Sequence, residues 1–254
     1  MSVTNNMANG GIDSVNRPNN KVNILGVEVF STNLDRVLRK IENWVAKPGK
    51  MKLIITVNPE FVMQARHDLE FRNILNSADL SLPDGVGLRL AEPDLQIIPG
   101  RKLVLALISK DYRLFYLGGR EGVAKNMAKK YGGDYDSGHQ DIKNIQPQEN
   151  QKIIKKINAS NPDVLFVAYG APWQEKWLWA NRSKIKAKVA MGVGGAFDYL
   201  VDKAQTPPIY IERYGLEWLW RLIHEPWRWR RQLNLLRFIW LAVVKSKLPV
   251  HGIL

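Results

Sequence analysis

Short apolar runs alternate along this chain with stretches whose apolar residues recur at helical spacing. Val22 to Val29 predicts a first strand, and Asn33 to Ala46 a helix that Pro48-Gly49 ends. Lys52 to Val57 predicts a strand breaking at Asn58-Pro59, with a helix from there to about His67. Asp68 to Asn76 reads as a further helix, and Asp79 to Leu82 as a short strand closed by Pro83-Asp84-Gly85. Arg113 to Leu117 predicts a buried strand that turns at Gly118-Gly119 into a helix from Gly122 to Tyr131. Glu149 to Asn158 is a predicted helix, the apolar run from Val164 a strand, and Lys188 to Met191 a last strand meeting Gly192-Val193-Gly194-Gly195. Strands without polar alternation are buried on both faces, and repeated βα units build parallel sheets. The fold class expected is α/β, a Rossmann-like, mainly parallel sheet with helices on both faces.

The run from Val164 to Leu178, V-L-F-V-A-Y-G-A-P-W-Q-E-K-W-L, is the most informative segment. A strand breaks at Gly170, turns through Ala171-Pro172, and resumes as a helix. Pro172 suits a first helical turn, Gln174 and Glu175 fall within it, and unpaired amides there can receive a phosphate. Three more predicted strand ends carry special residues: Thr56-Val57-Asn58, Pro83-Asp84-Gly85, and Gly192 to Asp198. In a parallel sheet these ends share one rim, which suits a nucleotide-diphosphate ligand. The plainer reading is that the glycines only serve tight turns. Asp84, set between Pro83 and Gly85, is placed to take a proton from a substrate hydroxyl. Its plainer role is a turn aspartate capping its own backbone.

Composition narrows the classes. The chain has 254 residues, no cysteine and a net charge of +13. Disulfide and thiolate chemistry are excluded. Residues 1–20 are rich in Asn and Gly and lack an apolar stretch, so they read as a disordered leader rather than a signal peptide. No apolar run approaches the roughly 20 residues that a membrane span requires, and a cytoplasmic protein is expected. Basic residues crowd the end: the last 34 residues hold seven Lys or Arg and one acid, a balance of +6. Trp218, Trp220, Trp227, Trp229 and Trp240 gather in the same region. Arginine interleaved with tryptophan suits an anionic membrane surface; RNA and plain core packing are the alternatives. Phe238 to Val244 has only seven apolar residues, so it should lie on a bilayer rather than span it. The division expected is a leader at 1–20, a core at 21–208, and a basic, aromatic appendage at 209–254.

Taken together, six motifs resemble the TagA/WecG/CpsF family of bacterial glycosyltransferases. They are T-V-N-P-E (Thr56 to Glu60), S-L-P-D-G-V-G (Ser81 to Gly87), Y-L-G-G (Tyr116 to Gly119), V-A-Y-G-A-P-W-Q-E-K-W, M-G-V-G-G-A-F-D (Met191 to Asp198) and Y-G-L-E-W-L-W-R-L-I-H-E-P-W-R (Tyr214 to Arg228). The resemblance runs from about Val22 to Arg237. It implies an inverting, metal-independent enzyme with no cofactor. Such an enzyme moves an N-acetylmannosamine-type or related sugar from a UDP donor to an undecaprenyl-diphosphate-linked sugar, in teichoic acid, capsule or exopolysaccharide synthesis. It also implies a C-terminal helical appendage that docks on the inner face of the cell membrane and completes the site.

By the same resemblance, Asp84 is the catalytic base and Thr56 an active-site partner. Asn58 and Gln174 are the other active-site residues it implies; the turn residues Gly85, Gly118, Gly119, Gly170, Glu175, Gly194 and Gly195 are expected to surround the same substrate. Arg221, Arg228, Arg231, Trp227 and Trp229 meet the membrane and the lipid diphosphate. No nucleic acid is expected, and the oligomeric state is open.

The chain departs from the family's usual pattern at three places. Ile97 stands where arginine is usual, Lys102 where aspartate is usual, and Pro59 precedes Glu60. The donor sugar is therefore left open. Asp134-Tyr135-Asp136 has the D-x-D spacing of metal-dependent transferases but sits among glycines, so a solvated loop is expected there. His67, His139, His224 and His251 show no ligand or triad spacing. A catalytically silent peripheral membrane or RNA-binding module is the alternative from another class; an NAD-type oxidoreductase is disfavoured because no dinucleotide fingerprint follows a strand.

Overall fold

The computed structural model describes residues 21–201, 208, 211, 219–220, 223 and 234–242. The central element is a six-stranded sheet in which every pairing is parallel, in the order β4-β3-β8-β7-β5-β6. The strands are β3 (Lys52–Val57), β4 (Leu80–Pro83), β5 (Leu114–Gly118), β6 (Asp134–Asp136), β7 (Val164–Ala168) and β8 (Val189–Gly192). Before them, β1 (Lys21–Ile24) and β2 (Val27–Phe30) form an antiparallel hairpin whose second strand lies against β4. The single strand expected over Val22 to Val29 is thus two. Leu25 (φ 51°) and Gly26 (φ 94°) both take positive φ there, and the chain reverses.

Alternate side chains of each strand enter opposite cores, as the pleat requires. Leu53, Ile55, Val57, Phe115, Leu117, Leu165 and Val167 face one core, completed by α2 (Pro59–Ala65), α3 (Leu69–Ser77), α6 (Pro147–Ser160) and α7 (Trp173–Asn181). Ile54, Leu114, Tyr116, Val164, Phe166 and Met191 face the other, covered by α1 (Leu34–Ala46), α4 (Gly100–Ile108), α5 (Val123–Tyr131) and α8 (Ala196–Leu200). The helices therefore lie on both faces, as the repeated βα pattern predicts. Helix starts are chemically marked. Asn33, Asn58 and Asp68 cap α1, α2 and α3 by accepting from the amides of Arg36, Phe61 and Phe71.

Two elements escape the sequence pattern. Helix α4 begins directly after Pro99, in a stretch to which the sequence pattern assigns no element. Asp134 to Asp136 is an edge strand, not a loop. Asp134 accepts from Ser160 Oγ at 2.5 Å, and Asp136 accepts from the Gly138 amide at 2.7 Å and pairs with Lys156 at 2.8 Å. The 250 Å³ cavity beside α4 is lined by Thr32, Asn33, Gln96, Ile97, Pro99 and Lys102 among others.

Among the described residues no helix is long and apolar enough to cross a membrane. Residues 234–242 are helical and seat Phe238 and Ala242 in the α2/α3/α6/α7 core. The leader expected at 1–20 and most of the 209–254 appendage lie outside the described residues.

The second core turns on three rings. Tyr116 stacks on Phe166 with centroids 5.9 Å apart, and Phe197 meets both edge-on at 5.6 and 6.4 Å. All three are fully buried. Phe166→Ala should cost about 3–5 kcal/mol of unfolding free energy, read by chemical denaturation. A loss under about 1 kcal/mol would mean the cluster does not hold the second core.

Candidate active site

Because all six strands run the same way, the residues after them meet on one rim. Reading across the sheet, this rim presents Asp84 after β4, Asn58 after Thr56 in β3, Gly192 to Gly195 from β8, Gly170 to Gln174 after β7, and Gly118-Gly119 from β5. Connections leave β5 toward β6 and β7 toward β8, in opposite directions across the sheet. The β5/β7 gap is thus a topological switch point, where open α/β sheets bind ligands. Gly118 (φ 82°) and Gly119 (φ 88°) close one side of it, and a Cβ at Gly118 would sit 2.9 Å from the Tyr169 ring. The Gly119 amide donates to Ala168 O at 3.0 Å.

Thr56 and Asp84 occupy the other end. The register pairs Thr56 with Leu82 and Val57 with Pro83, so the two strands deliver Asn58 and Asp84 side by side. The Asp84 amide donates to Val57 O at 2.6 Å, which fixes the turn. Gly85 takes φ 91°, a conformation open to glycine, and lets the chain leave past Asn58 and Pro59. Ile98 N donates to Pro83 O at 2.8 Å, bringing the start of α4 back over the turn. A methyl placed on Gly100 would lie 3.0 Å from Thr56 Oγ1 and 3.3 Å from Asp84 Oδ2. Gly100 is thus the bare floor on which hydroxyl and carboxylate converge. Nothing local in the sequence marks the pairing of Gly100 with Asp84, which is a tertiary fact.

The β7 and β8 turns are joined by Gln174. Its Oε1 accepts from the Gly170 amide at 3.1 Å and the Gly194 amide at 2.9 Å. Its Nε2 donates to Glu175 Oε1 at 2.7 Å. Gln174 is 3% exposed and Glu175 1%, so both lie under the rim rather than on it. Gly195 begins α8 and is exposed. Arg221, Arg228, Arg231, Trp227 and Trp229 lie outside the described residues. No group of three or more metal-ligating side chains occurs among the described residues.

Burial pushes the Glu175 carboxyl up to about 7, against the stabilising bond from Gln174. A raised acid holds a proton in the folded state that the unfolded chain releases. Its contribution is therefore intact below about 4.5 and lost as pH rises through about 7. Relative to Glu175→Gln, the wild type should lose about 3 kcal/mol of stability between pH 4 and pH 9. Parallel denaturation curves of both proteins across that range measure it, and a pH-independent difference would refute a buried, titrating Glu175.

The model of the WecG/TagA/CpsF glycosyl transferase family matches residues 22–251. The N-acetylglucosaminyldiphosphoundecaprenol N-acetyl-β-D-mannosaminyltransferase of Bacillus subtilis (strain 168) is 34% identical over 237 residues, covering 88% of this chain and 91% of the relative. Enzymes of the same name from Bacillus spizizenii and Staphylococcus aureus (strain MRSA252) are 29% and 26% identical, over 87% and 89% of this chain and 90% and 93% of their own lengths. Those matches run through the rim motifs and the sheet that carries them: the chain is a glycosyltransferase and belongs to the WecG/TagA/CpsF family.

Proposed function

We propose that this enzyme transfers a sugar from a UDP donor to a lipid-diphosphate-linked sugar, with Asp84 as general base. The observation that carries this reading is the meeting of Asp84 and Thr56 over Gly100, on the rim that also holds the glycine turns. The names of the relatives give undecaprenyl-diphosphate N-acetylglucosamine as their acceptor and N-acetylmannosamine as the sugar they move. The same acceptor class is proposed here.

The step balances without a covalent intermediate. Asp84 takes the proton of the acceptor hydroxyl as that oxygen bonds the anomeric carbon. The bond from that carbon to the diphosphate breaks, its electron pair leaves with UDP, and the configuration inverts. Thr56 Oγ1, beside the carboxylate, orients the attacking hydroxyl, and Asn58 continues the same wall. The Gly170, Gly194 and Gly119 amides are already bonded within the protein. We assign the diphosphate to the exposed Gly195 turn; the resemblance assigns Arg221, Arg228 and Arg231, outside the described residues, to the same charge. No metal is invoked. The D-x-D aspartates, the sequence feature that would suggest one, are engaged by Ser160, Gly138 and Lys156.

The last described helix supports peripheral membrane attachment. Phe238 and Ala242 face the core while Leu236 and Trp240 are 62% and 64% exposed, so the helix has an apolar face on each side. Leu235 lies against Gly87, just beyond Asp84; a methyl on Gly87 would be 3.5 Å from its Cδ1. An interfacial helix beside the base suits an acceptor whose lipid stays in the bilayer.

The deciding assay is UDP release with a panel of UDP-sugars and a short-chain lipid-diphosphate N-acetylglucosamine, with and without EDTA. Acceptor-dependent release that survives EDTA is expected; absence of release with every donor would leave a catalytically silent membrane module. Asp84→Asn should lower kcat by about 10²-fold or more while UDP affinity stays near wild type. Equal loss of both would make Asp84 structural. Gly100→Ala should cut kcat about tenfold or more with no fall in Tm, since alanine suits a helix but crowds both catalytic side chains. Wild-type turnover in that variant would remove Gly100 from the site.

A further inference from the structure

The transfer step leaves one buried acid without a task. Glu175 lies inside the protein, with Oε1 bonded to Gln174 Nε2 and no hydrogen-bond partner for Oε2 among the described residues. A leucine would fill that volume without the cost of burying a carboxyl. The group is retained next to a residue whose orientation matters.

That residue is Gln174. A carboxamide has an accepting end and a donating end of nearly the same shape. Gln174 presents its accepting end to two donors at once, the amides of Gly170 and Gly194, which belong to the turns after β7 and β8. Were the amide reversed, an NH2 would face both N–H groups and neither glycine would have its acceptor. Glu175 opposes the reversal, because an Oε1 that carries no proton can only accept and therefore pairs with the NH2 end. This holds whether the carboxyl is ionised or protonated at Oε2. Burial favours the protonated form, and with the proton on Oε2 the clasp is kept.

Gly192 completes the arrangement. A methyl there would stand 2.6 Å from both Gln174 Nε2 and Glu175 Oε1. Its φ lies outside the left-handed region, so glycine is required for room rather than for backbone freedom. Two neighbouring residues of α7 and a glycine of β8 thus form one unit: an acid, an amide it orients, and a notch that admits them.

We propose that Glu175 is a positioning residue for the donor end of the site: by fixing the orientation of the Gln174 carboxamide, it holds the Gly170 and Gly194 turns at one spacing. The kinetic consequence rests on the transferase reading, whereas the clasp itself is tested without substrate. Amide hydrogen exchange of the full chain, resolved at Gly170 and Gly194, is the primary measurement, with UDP affinity by calorimetry beside it. Glu175→Leu should speed exchange at both glycines together by about tenfold, the loss of one ordinary hydrogen bond at each. UDP affinity and donor KM should weaken in step while acceptor KM stays unchanged. Glu175→Gln should remain within about twofold of wild type, because its side-chain carbonyl can take the place of Oε1.

Unchanged exchange at both glycines in Glu175→Leu would overturn the proposal. So would a Glu175→Gln enzyme as impaired as Glu175→Leu, which would assign a role to the charge itself. Should Glu175→Leu fail to fold, Gly192→Ala supplies the same readout by pushing the clasp apart from the other side; protected glycines in that variant would again overturn it. If wild-type protein released no UDP from any donor, the transferase reading would fall and the exchange result would still decide the clasp.

Discussion

The parallel direction of the sheet is the constraint from which the rest follows. Each of the six strands is hydrogen-bonded only to neighbours running its own way, so every crossover must return over a face and every strand must end at one rim. Two consequences are inseparable. Both faces of the sheet are covered by helices and become core, which is why β5 and β7 are buried at every position. And the ends of strands distant in sequence are forced together, which is how Asp84, Thr56, Gly170 and Gly194 come to share one rim, with Gln174 beneath it. Stability and site are products of one topology.

The rim then trades packing for shape. Gly100 leaves its helix start bare so that two polar side chains can approach, and Gly192 leaves a hollow for two more. Glu175 is held inside at a cost that grows as pH rises through its titration. None of these choices strengthens the core, and each sits within reach of the strand ends. Locally unfavourable residues gathered on one edge of an otherwise well-packed sheet are what a functional edge requires.

Much of this was legible before any coordinates. Val164 to Gly170 reads as a buried strand into a turn, and Asn33 and Asp68 mark helix starts because their side chains cap the helix amides locally. Such features are written within a few residues of themselves. What the sequence hid was written across long separations. Leu25 gave no sign that Val22 to Val29 would fold back, since a positive φ at leucine is set by the hairpin rather than by propensity. The sequence pattern assigns no element to the start of α4 after Pro99, because what sets it, the Ile98 amide bonded to Pro83, joins distant residues. Asp134 and Asp136 look like a metal pair because the spacing is visible and their partners Ser160 and Lys156 are not. Gln174 was expected at the ligand, yet its acceptor oxygen faces Gly194, twenty residues away.

The two ends of the rim also differ in what surrounds them, and this gives the proposed reaction a direction. Asp84 stands at the β4 edge of the sheet, beside the hairpin and the helix at 234–242; the glycine turns of β8, β7 and β5 stand toward its centre. A central switch point is walled by neighbouring turns and suits a soluble nucleotide that must be held along its length. An edge is open on one side, and here the opening carries Leu236 and Trp240 outward. On the proposed reading the donor lies across the middle and the acceptor approaches from the edge. The lipid can then remain in the bilayer while only its sugar reaches Asp84. The base has to be at the boundary between these two environments, and β4 is the strand that places it there.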